Sequence, residues 1–320
     1  MLSYLPSALG LMTLSCVSAA SGDPEAVAGP FTTKLQVFSL NSDIQNPEED
    51  KVSVFYPTGV KEGCNATLDS SIKFISYAHG MFGGGVLEVP AYNDLLHHMA
   101  SFGYVIGATH QCSVGCFDDC NSLKRDPPCF GNYYKKQLGI IDWAKECSAG
   151  SDECSVPFEH ISWSDGVGVA GHSMGGQASL FSSSGSNATE YDIRASVLHH
   201  AYTHTFPVPT VPFLDMTGEL DTTATVDGMA VPIYEAAEGS GVERGFIDKT
   251  LADHHEPDIT SMDRNGIQLL AQFSAAWFKL YLDKTPQAYG LDFQDMIYGT
   301  DSTGICSGGD GEVTSCKLDH

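Results

Sequence analysis

Short apolar runs alternate with longer segments of helical periodicity along most of the chain. Apolar or β-branched runs that stop at glycine or a polar residue predict strands, whereas apolar residues recurring every three or four positions predict helices. The predicted strands are residues 73–77, 104–109, 167–170, 195–198, 211–216 and 245–250. The predicted helices are residues 90–103, 133–143, a segment after residue 173, and 267–281. This alternation predicts an α/β fold with a mostly parallel central sheet and helices on both faces.

No internal repeat interrupts this alternation, so the sequence predicts one domain over residues 21–320. Its two irregular parts are a cysteine-rich insertion near residues 110–130 and a Gly/Asp/Ser-rich tail beyond residue 285, which we expect a disulfide to hold. Apolar residues make up 42% of the chain, which is enough to fill the core of such a domain.

The chain is strongly acidic, with 16 Lys and Arg against 40 Asp and Glu and a formal net charge of −24. Nucleic-acid binding depends on clustered Lys and Arg, so this charge argues against a nucleic-acid partner. It also disfavours anionic phospholipid surfaces. Because no segment has the ~20 apolar residues of a membrane span, we expect no stable span, and we expect a monomer.

The N-terminus has the pattern of a secretory signal peptide over residues 1–20. Residues 2–20 carry no charge, residues 5–17 are mainly apolar, and small residues follow. The first residues lack Lys and Arg, so a buried N-terminal element is the alternative interpretation. Sequons at Asn65 and Asn187 fit a secreted glycoprotein. Delivery to a plastid or vacuole through the secretory route is the alternative location.

Cysteine usage also favours export, because nine of the ten cysteines lie beyond the predicted signal peptide. The nearest pairs are predicted to be disulfides: Cys147 with Cys154, and Cys306 with Cys316. An odd number leaves at least one cysteine free or paired elsewhere. A zinc site between Cys112 and Cys129 is the competing interpretation, but that run lacks the paired C-x₂-C spacing and the following histidines.

The segment with the clearest chemical signal is a G-x-S-x-G motif formed by Gly171, Ser173 and Gly175. It falls between a predicted strand and a predicted helix. A turn this sharp requires small residues on either side of the serine, and it lifts the serine hydroxyl clear of the sheet. The motif therefore predicts that Ser173 is a nucleophile.

A serine nucleophile needs a general base, and the base needs a carboxylate that orients it. Asp221 follows the predicted strand 211–216, and His254 follows the predicted strand 245–250, so both lie on loops where catalytic groups of an open α/β sheet collect. The order serine, acid, histidine is the one expected of a nucleophile elbow. Asp215 and Glu219 remain alternatives for the acid, and His255 remains the alternative for the base.

Acyl transfer also needs donors for the developing oxyanion. We predict the backbone N–H of Met174, which follows the nucleophile, and that of Met81, in the glycine-rich segment 79–85 after an early strand. That segment lacks the G-K-[ST] ending of a phosphate-binding loop. This chemistry requires neither a cofactor nor a metal, and the pairs His97-His98 and His199-His200 are interpreted as helix surface and cleft lining rather than as metal ligands.

Over roughly residues 50–316 the chain resembles the α/β-hydrolases of the cutinase-like polyester hydrolase and chlorophyllase group. The sequence G-H-S-M-G-G at 171–176, the acid loop around Asp221, and His254 followed by Pro257 carry the resemblance. It implies an α/β-hydrolase fold and a substrate cleft, which we place at Phe82, His172 and Tyr202. Tyr202 falls where the polyester enzymes keep a cleft tryptophan. The resemblance also gives Cys306 and Cys316 a counterpart in a late disulfide of those enzymes.

Two departures concern the substrate. Gln177 and Ala178 replace two glycines after the motif, and the cysteine-rich insertion has no counterpart in the polyester enzymes and is a candidate for a rim or partial cap over the cleft. The sequence thus predicts a secreted serine carboxylic ester hydrolase acting on neutral lipid, cutin-like, polyester or other hydrophobic esters. The alternatives are a chlorophyllase, an acetyl-phospholipid hydrolase, and, from another class, a catalytically silent hydrolase-fold binding module.

Overall fold

The computed structural model describes residues 27–40, 47–68, 71–85, 88–113, 116, 131–150, 154, 157–258, 260–261, 264–301, 304–307 and 313–319. The predicted signal peptide and most of the cysteine-rich insertion lie outside the described residues. In the part of the chain that is described, no helix combines the length and the apolar character needed to cross a bilayer.

The strands are β1 (Phe31–Ser39), β2 (Lys51–Val60), β3 (Lys73–Ala78), β4 (Tyr104–Thr109), β5 (Val167–His172), β6 (Ile193–His199), β7 (Phe213–Gly218), β8 (Arg244–Lys249), β9 (Gln287–Ala288), β10 (Leu291–Asp292) and β11 (Val313–Asp319). The α-helices are α1 (Glu88–Ala100), α2 (Tyr133–Ser148), α3 (Met174–Ser182), α4 (Gly185–Glu190), α5 (Val231–Ala236), α6 (Arg264–Tyr281) and α7 (Phe293–Tyr298). A single π-helical turn, Val226–Ala230, precedes α5.

Nine strands form one sheet in the order β1-β2-β4-β3-β5-β6-β7-β8-β11. The six strands from β4 to β8 in this order run parallel to one another. The strands β1 and β2 at one edge, and β11 at the other, are antiparallel to their neighbours. The carboxyl ends of the parallel strands therefore share one edge of the sheet, and the loops after β3, β5, β6, β7 and β8 begin there.

Both faces of the parallel strands are covered by helices. Helices α1 and α6 pack on one face, where Leu95 and Trp277 join the same apolar cluster as Ile106. Helix α2 packs on the other face, where Ile141 lies with Val169. Strands buried on both faces carry continuous apolar runs rather than alternating ones, which is why these strands were predictable.

The predicted positions of the parallel strands and of the helices that cover them are confirmed, but the strands at the two edges of the sheet were missed. The sequence pattern predicts no strand over β1, β2 or β11, and it makes residues 245–250 the last strand. In the structure β8 is followed in the sheet by β11. Edge strands such as β1 and β11 expose much of their length, so their mixed apolar and polar sequences lack the signal of the central strands.

The disulfides Cys147–Cys154 and Cys306–Cys316 are both present, as predicted from their spacing. A third bond joins Cys112 to Cys116 at the start of the cysteine-rich insertion, and Cys64 is also disulfide-bonded. No cysteine among the described residues is free.

Candidate active site

Ser173 lies at the sharp turn between β5 and α3, with a positive φ of 56° that non-glycine residues rarely adopt. The glycines on either side permit the close approach of backbone at this turn. A Cβ at Gly175 would lie 2.0 Å from the carbonyl oxygen of Ala78, and a Cβ at Gly171 would lie 2.3 Å from the carbonyl oxygen of Gly175. The sequence therefore folds here as a strained strand-to-helix turn that presents the serine at the carboxyl edge of the sheet.

Three side chains that the sequence analysis selected form one hydrogen-bonded series. The Ser173 Oγ lies 2.9 Å from His254 Nε2, and His254 Nδ1 lies 2.8 Å from Asp221 Oδ2. His254 comes from the loop after β8 and Asp221 from the loop after β7. Since Nδ1 donates to the carboxylate, Nε2 is left as the acceptor that faces the serine hydroxyl.

The other oxygen of Asp221 is fixed by its own loop. Asp221 Oδ1 accepts the backbone N–H groups of Thr223 at 2.8 Å and of Ala224 at 2.7 Å. Burial by itself raises the pKa of the Asp221 carboxyl, but the hydrogen bonds from His200 and His254 lower the pKa well below its usual range. The group is thus an oriented, ionised carboxylate.

The alternative residues occupy other environments. Asp215 is buried within β7, and neither of its carboxylate oxygens has a hydrogen-bond partner among the described residues. Glu219 is exposed and accepts the backbone N–H of Leu251. The side chain of His255 is 58% exposed and pairs with Asp258 rather than with the serine.

A second imidazole, which the sequence analysis missed as a partner of the acid, contacts Asp221. His200 Nδ1 lies 2.9 Å from Asp221 Oδ2, the oxygen that His254 also contacts, and His200 Nε2 lies 3.3 Å from Glu256 Oε2. Glu256 accepts in turn from Lys249 Nζ at 2.5 Å. We call Lys249, Glu256 and His200 the His200 network. Although burial lowers the pKa of His200, its hydrogen bonds to the two carboxylates raise that pKa to about 9.

His200 was interpreted from sequence as cleft lining together with His199, whereas both rings are fully buried. The one sequence signal that could have found His200 is its position, immediately beyond β6 at the carboxyl edge of the sheet. His199 points elsewhere and contacts Ser274 Oγ at 2.8 Å.

His172, predicted to line the cleft, directly precedes the nucleophile and is 3% exposed. Its Nδ1 lies 2.8 Å from the hydroxyl of Tyr92, and its Nε2 lies 2.7 Å from the carbonyl oxygen of His254. The Tyr92 hydroxyl also accepts the backbone N–H of Gly80 at 2.9 Å. Burial, with the positive charge of the nearby His200, holds the pKa of His172 well below its ordinary value, so the ring is neutral. His172 therefore joins the loop after β3 to the loop that carries His254.

The predicted oxyanion donors lie at the two expected places in the fold. Met174 begins α3, directly after the serine, and its side chain is fully buried. Met81 follows Gly80 in the turn after β3 and is 37% exposed. The next residue, Phe82, is 64% exposed, and its backbone N–H donates to the carbonyl oxygen of Ser113 at 2.6 Å.

Tyr202, the third residue predicted for the cleft, is half-buried close to the nucleophile. Its backbone N–H donates to the carbonyl oxygen of Ser173 at 2.9 Å. Its hydroxyl lies 3.3 Å from a ring nitrogen of the exposed His204. Tyr202 is therefore tied through its backbone to the residue of the nucleophile.

The only group of His, Cys, Asp and Glu in the described residues whose ligand atoms lie close enough to hold a metal ion is His200, Asp221 and His254, within 4.8 Å of one another. Hydrogen bonds between the two rings and the shared carboxylate oxygen account for this spacing.

Comparison with known proteins assigns the chain to a family. A family model described as PET hydrolase-like matches residues 20–290, which include the serine turn and the loops of Asp221 and His254. A comparison with curated proteins gave no significant match. The resemblance to cutinase-like polyester hydrolases, the α/β-hydrolase fold and the assignment as an enzyme are thereby confirmed. The chain belongs to the PET hydrolase-like family of α/β-hydrolases, and it is a carboxylic ester hydrolase of the serine hydrolase class.

Proposed function

We propose that Ser173, His254 and Asp221 form the catalytic triad of this ester hydrolase. The observation that carries the proposal is the unbroken series of hydrogen bonds from the serine hydroxyl through the imidazole to an ionised carboxylate. Ser173 Oγ attacks the ester carbonyl while His254 Nε2 takes its proton, and His254 then returns that proton to the leaving alkoxide. Water attacks the acyl-enzyme by the same route, releasing the acid and restoring Ser173.

The backbone N–H groups of Met81 and Met174 are the proposed donors to the oxyanion formed in each half of the reaction. Met174 N–H lies at the first turn of α3, where helix N–H groups carry partial positive charge. Met81 lies in the turn that the Tyr92 hydroxyl holds through Gly80, and Tyr92 also contacts His172. These bonds support a fixed spatial relation between the proposed oxyanion site and the base.

We infer a neutral, hydrophobic ester as the substrate class, of the cutin-like, polyester or neutral lipid kind. The match to a PET hydrolase-like family supports an ester of this type. Met81 and Phe82, in the turn that carries the proposed oxyanion donor, are exposed apolar side chains, and the net charge of −24 disfavours an anionic substrate. The disulfides Cys112–Cys116, Cys147–Cys154 and Cys306–Cys316 support an oxidising, extracellular location.

The test compares the wild-type protein with Ser173→Ala and His254→Ala on a soluble p-nitrophenyl ester. Each variant is expected to lose about 10⁴-fold or more in kcat. His255→Ala is the matched control, because this neighbouring histidine is exposed and bonded to Asp258. Turnover retained by Ser173→Ala contradicts the triad. A fluorophosphonate probe that fails to label wild-type Ser173 favours a silent binding module instead.

The substrate class is tested separately with polyester film, cutin, a short-chain triglyceride, chlorophyll and an acetyl-phospholipid. We expect Ser173-dependent product release from the first three. Release confined to chlorophyll or to the acetyl-phospholipid contradicts the proposed substrate class while leaving the triad in place.

A further inference from the structure

The acid of the proposed triad is shared between two imidazole rings. Both His200 Nδ1 and His254 Nδ1 contact Asp221 Oδ2, at 2.9 and 2.8 Å. A triad requires only one of these contacts. The second ring is fully buried and its other nitrogen faces Glu256, so His200 donates from both nitrogens and is an imidazolium.

Together with Asp221, the His200 network is a series of four residues whose charges alternate in sign, beginning with the cation Lys249. Lys249 Nζ contacts Glu256 Oε1, Glu256 Oε2 contacts His200, and His200 contacts Asp221. All four residues are at most 8% exposed. Removing one member leaves its neighbours as uncompensated buried charges, so the pairing keeps each member ionised.

We propose that His200 is a positioning residue that fixes Asp221 through the same carboxylate oxygen as His254, and whose positive charge keeps the base unprotonated in more acidic solution. The inference rests on the proposed function, because it concerns the base of that triad. The ring centroids of His200 and His254 are 6.1 Å apart. A positive charge at that distance disfavours a second positive charge on His254, which must be neutral to accept the proton of Ser173.

Other ionisable groups surround the two rings, and they do not replace this charge. The groups facing His254 are Asp221, His172, His200 and His255. The groups facing His200 are Asp221, Glu256, His172, His199, His254, Asp215 and Asp248. His172 and His199 are neutral, because burial holds the pKa of each well below its ordinary value. His200 is therefore the buried cation among the groups that face the base.

The size of the effect follows from the separation of the two rings. A unit charge 6.1 Å away moves a titration midpoint by about 0.5 pH units with the dielectric constant of water, and by about 2 pH units with that of a partly buried site. On the acidic limb of a rate profile this corresponds to a rate difference of about threefold to a hundredfold.

The decisive variant is His200→Gln, which keeps an N–H donor for Asp221 but carries no charge. We expect the midpoint of the acidic limb of kcat/KM against pH to move upward by about 0.5 to 2 pH units. The rate of fluorophosphonate labelling of Ser173 should follow the same shift without depending on the choice of ester. His199→Gln is the matched control, because this ring is buried beside His200 but contacts Ser274, and it should leave the midpoint in place.

A purely structural role for His200 would lower the rate equally at all pH values, and an unmoved midpoint overturns the proposal. Glu256→Gln is the second variant, because it removes a buried negative charge from the far side of the His200 ring instead of a positive one, so its midpoint should not move upward. In the wild-type protein, ring nitrogen NMR shifts at pH 7 should show both nitrogens of His200 protonated. A neutral ring there also overturns the proposal, whatever the variants do.

These outcomes separate the two proposals. Turnover and labelling that survive Ser173→Ala remove the proposed triad and this inference with it. Turnover that depends on Ser173 but keeps the same acidic midpoint in His200→Gln removes this inference alone.

Discussion

Asp215 is expected to destabilise the folded protein at neutral pH, and its replacement should reveal by how much. The side chain is fully buried in β7, beside Leu198 of β6 and Phe246 of β8, and both carboxylate oxygens lack a hydrogen-bond partner among the described residues. Burial raises the pKa of this carboxyl from 3.8 to about 7; the charge on His200 opposes the rise and that on Asp221 adds to it.

The direction in which stability changes with pH follows from how many protons the folded and unfolded protein bind. Below pH 3.8 the carboxyl is protonated in both the folded and the unfolded protein, so stability is unaffected. Between pH 3.8 and about 7 the unfolded chain releases this proton while the folded protein keeps it, so the free energy of unfolding falls as pH rises. At about 1.36 kcal/mol per pH unit over roughly three units, the loss reaches about 4 kcal/mol above neutral pH.

Asp215→Asn removes the titration and keeps the shape and polarity of the side chain. We expect the free energy of unfolding of the variant, relative to that of wild type, to increase by about 3 kcal/mol between pH 4.5 and pH 8. This corresponds to about 6 °C in Tm. Thermal unfolding followed by circular dichroism at several pH values measures this difference. Glu238→Gln, on an exposed side chain, controls for the change in net charge. A Tm difference that stays constant from pH 4.5 to 8 refutes the reasoning.

Three further outcomes are expected. Gly175→Ala places a Cβ 2.0 Å from a backbone oxygen and should abolish fluorophosphonate labelling, whereas Gly139→Ala, at an open helical position, should label normally and raise the Tm slightly. Tyr92→Phe removes the hydroxyl that joins the loop after β3 to the His172 ring. The free energy of unfolding in urea should fall by about 1–3 kcal/mol, and kcat should also fall. Cys306→Ser opens the loop closed with Cys316 and should lower the free energy of unfolding by about 2–3 kcal/mol; an unchanged urea midpoint contradicts this.

The central sheet was predictable because its strands carry their own signal. The predicted strand 104–109 has the same bounds as β4, and the predicted strand 73–77 is one residue shorter than β3. In a parallel sheet covered on both faces, every central strand is buried on both sides, so each has an apolar run that can be recognised without knowing its neighbours. The strands β1 and β11 are different. Each adopts the strand conformation by pairing with one neighbour at an edge of the sheet, so its own sequence does not predict it.

Local motifs also allowed the serine turn and the loops of Asp221 and His254 to be selected from sequence. His200 was not found this way, because its significance comes from contacts with two loops that are distant along the chain. A histidine after a strand has many possible environments, and only the packing of the β6, β7 and β8 ends against one another places this one between two carboxylates.

The antiparallel strand β11 lies outside the segment that matches the family model, which ends at residue 290. It pairs with β8 along the strand, from Val313 opposite Lys249 to Asp319 opposite Arg244, and Arg244 and Asp319 also form an ion pair at 2.6 Å. Unpaired backbone at the rim of a sheet is a template for association with other chains. A protein truncated where the family similarity stops would have β8, which is buried along its whole length, at the edge of its sheet in place of the partly exposed strand β11.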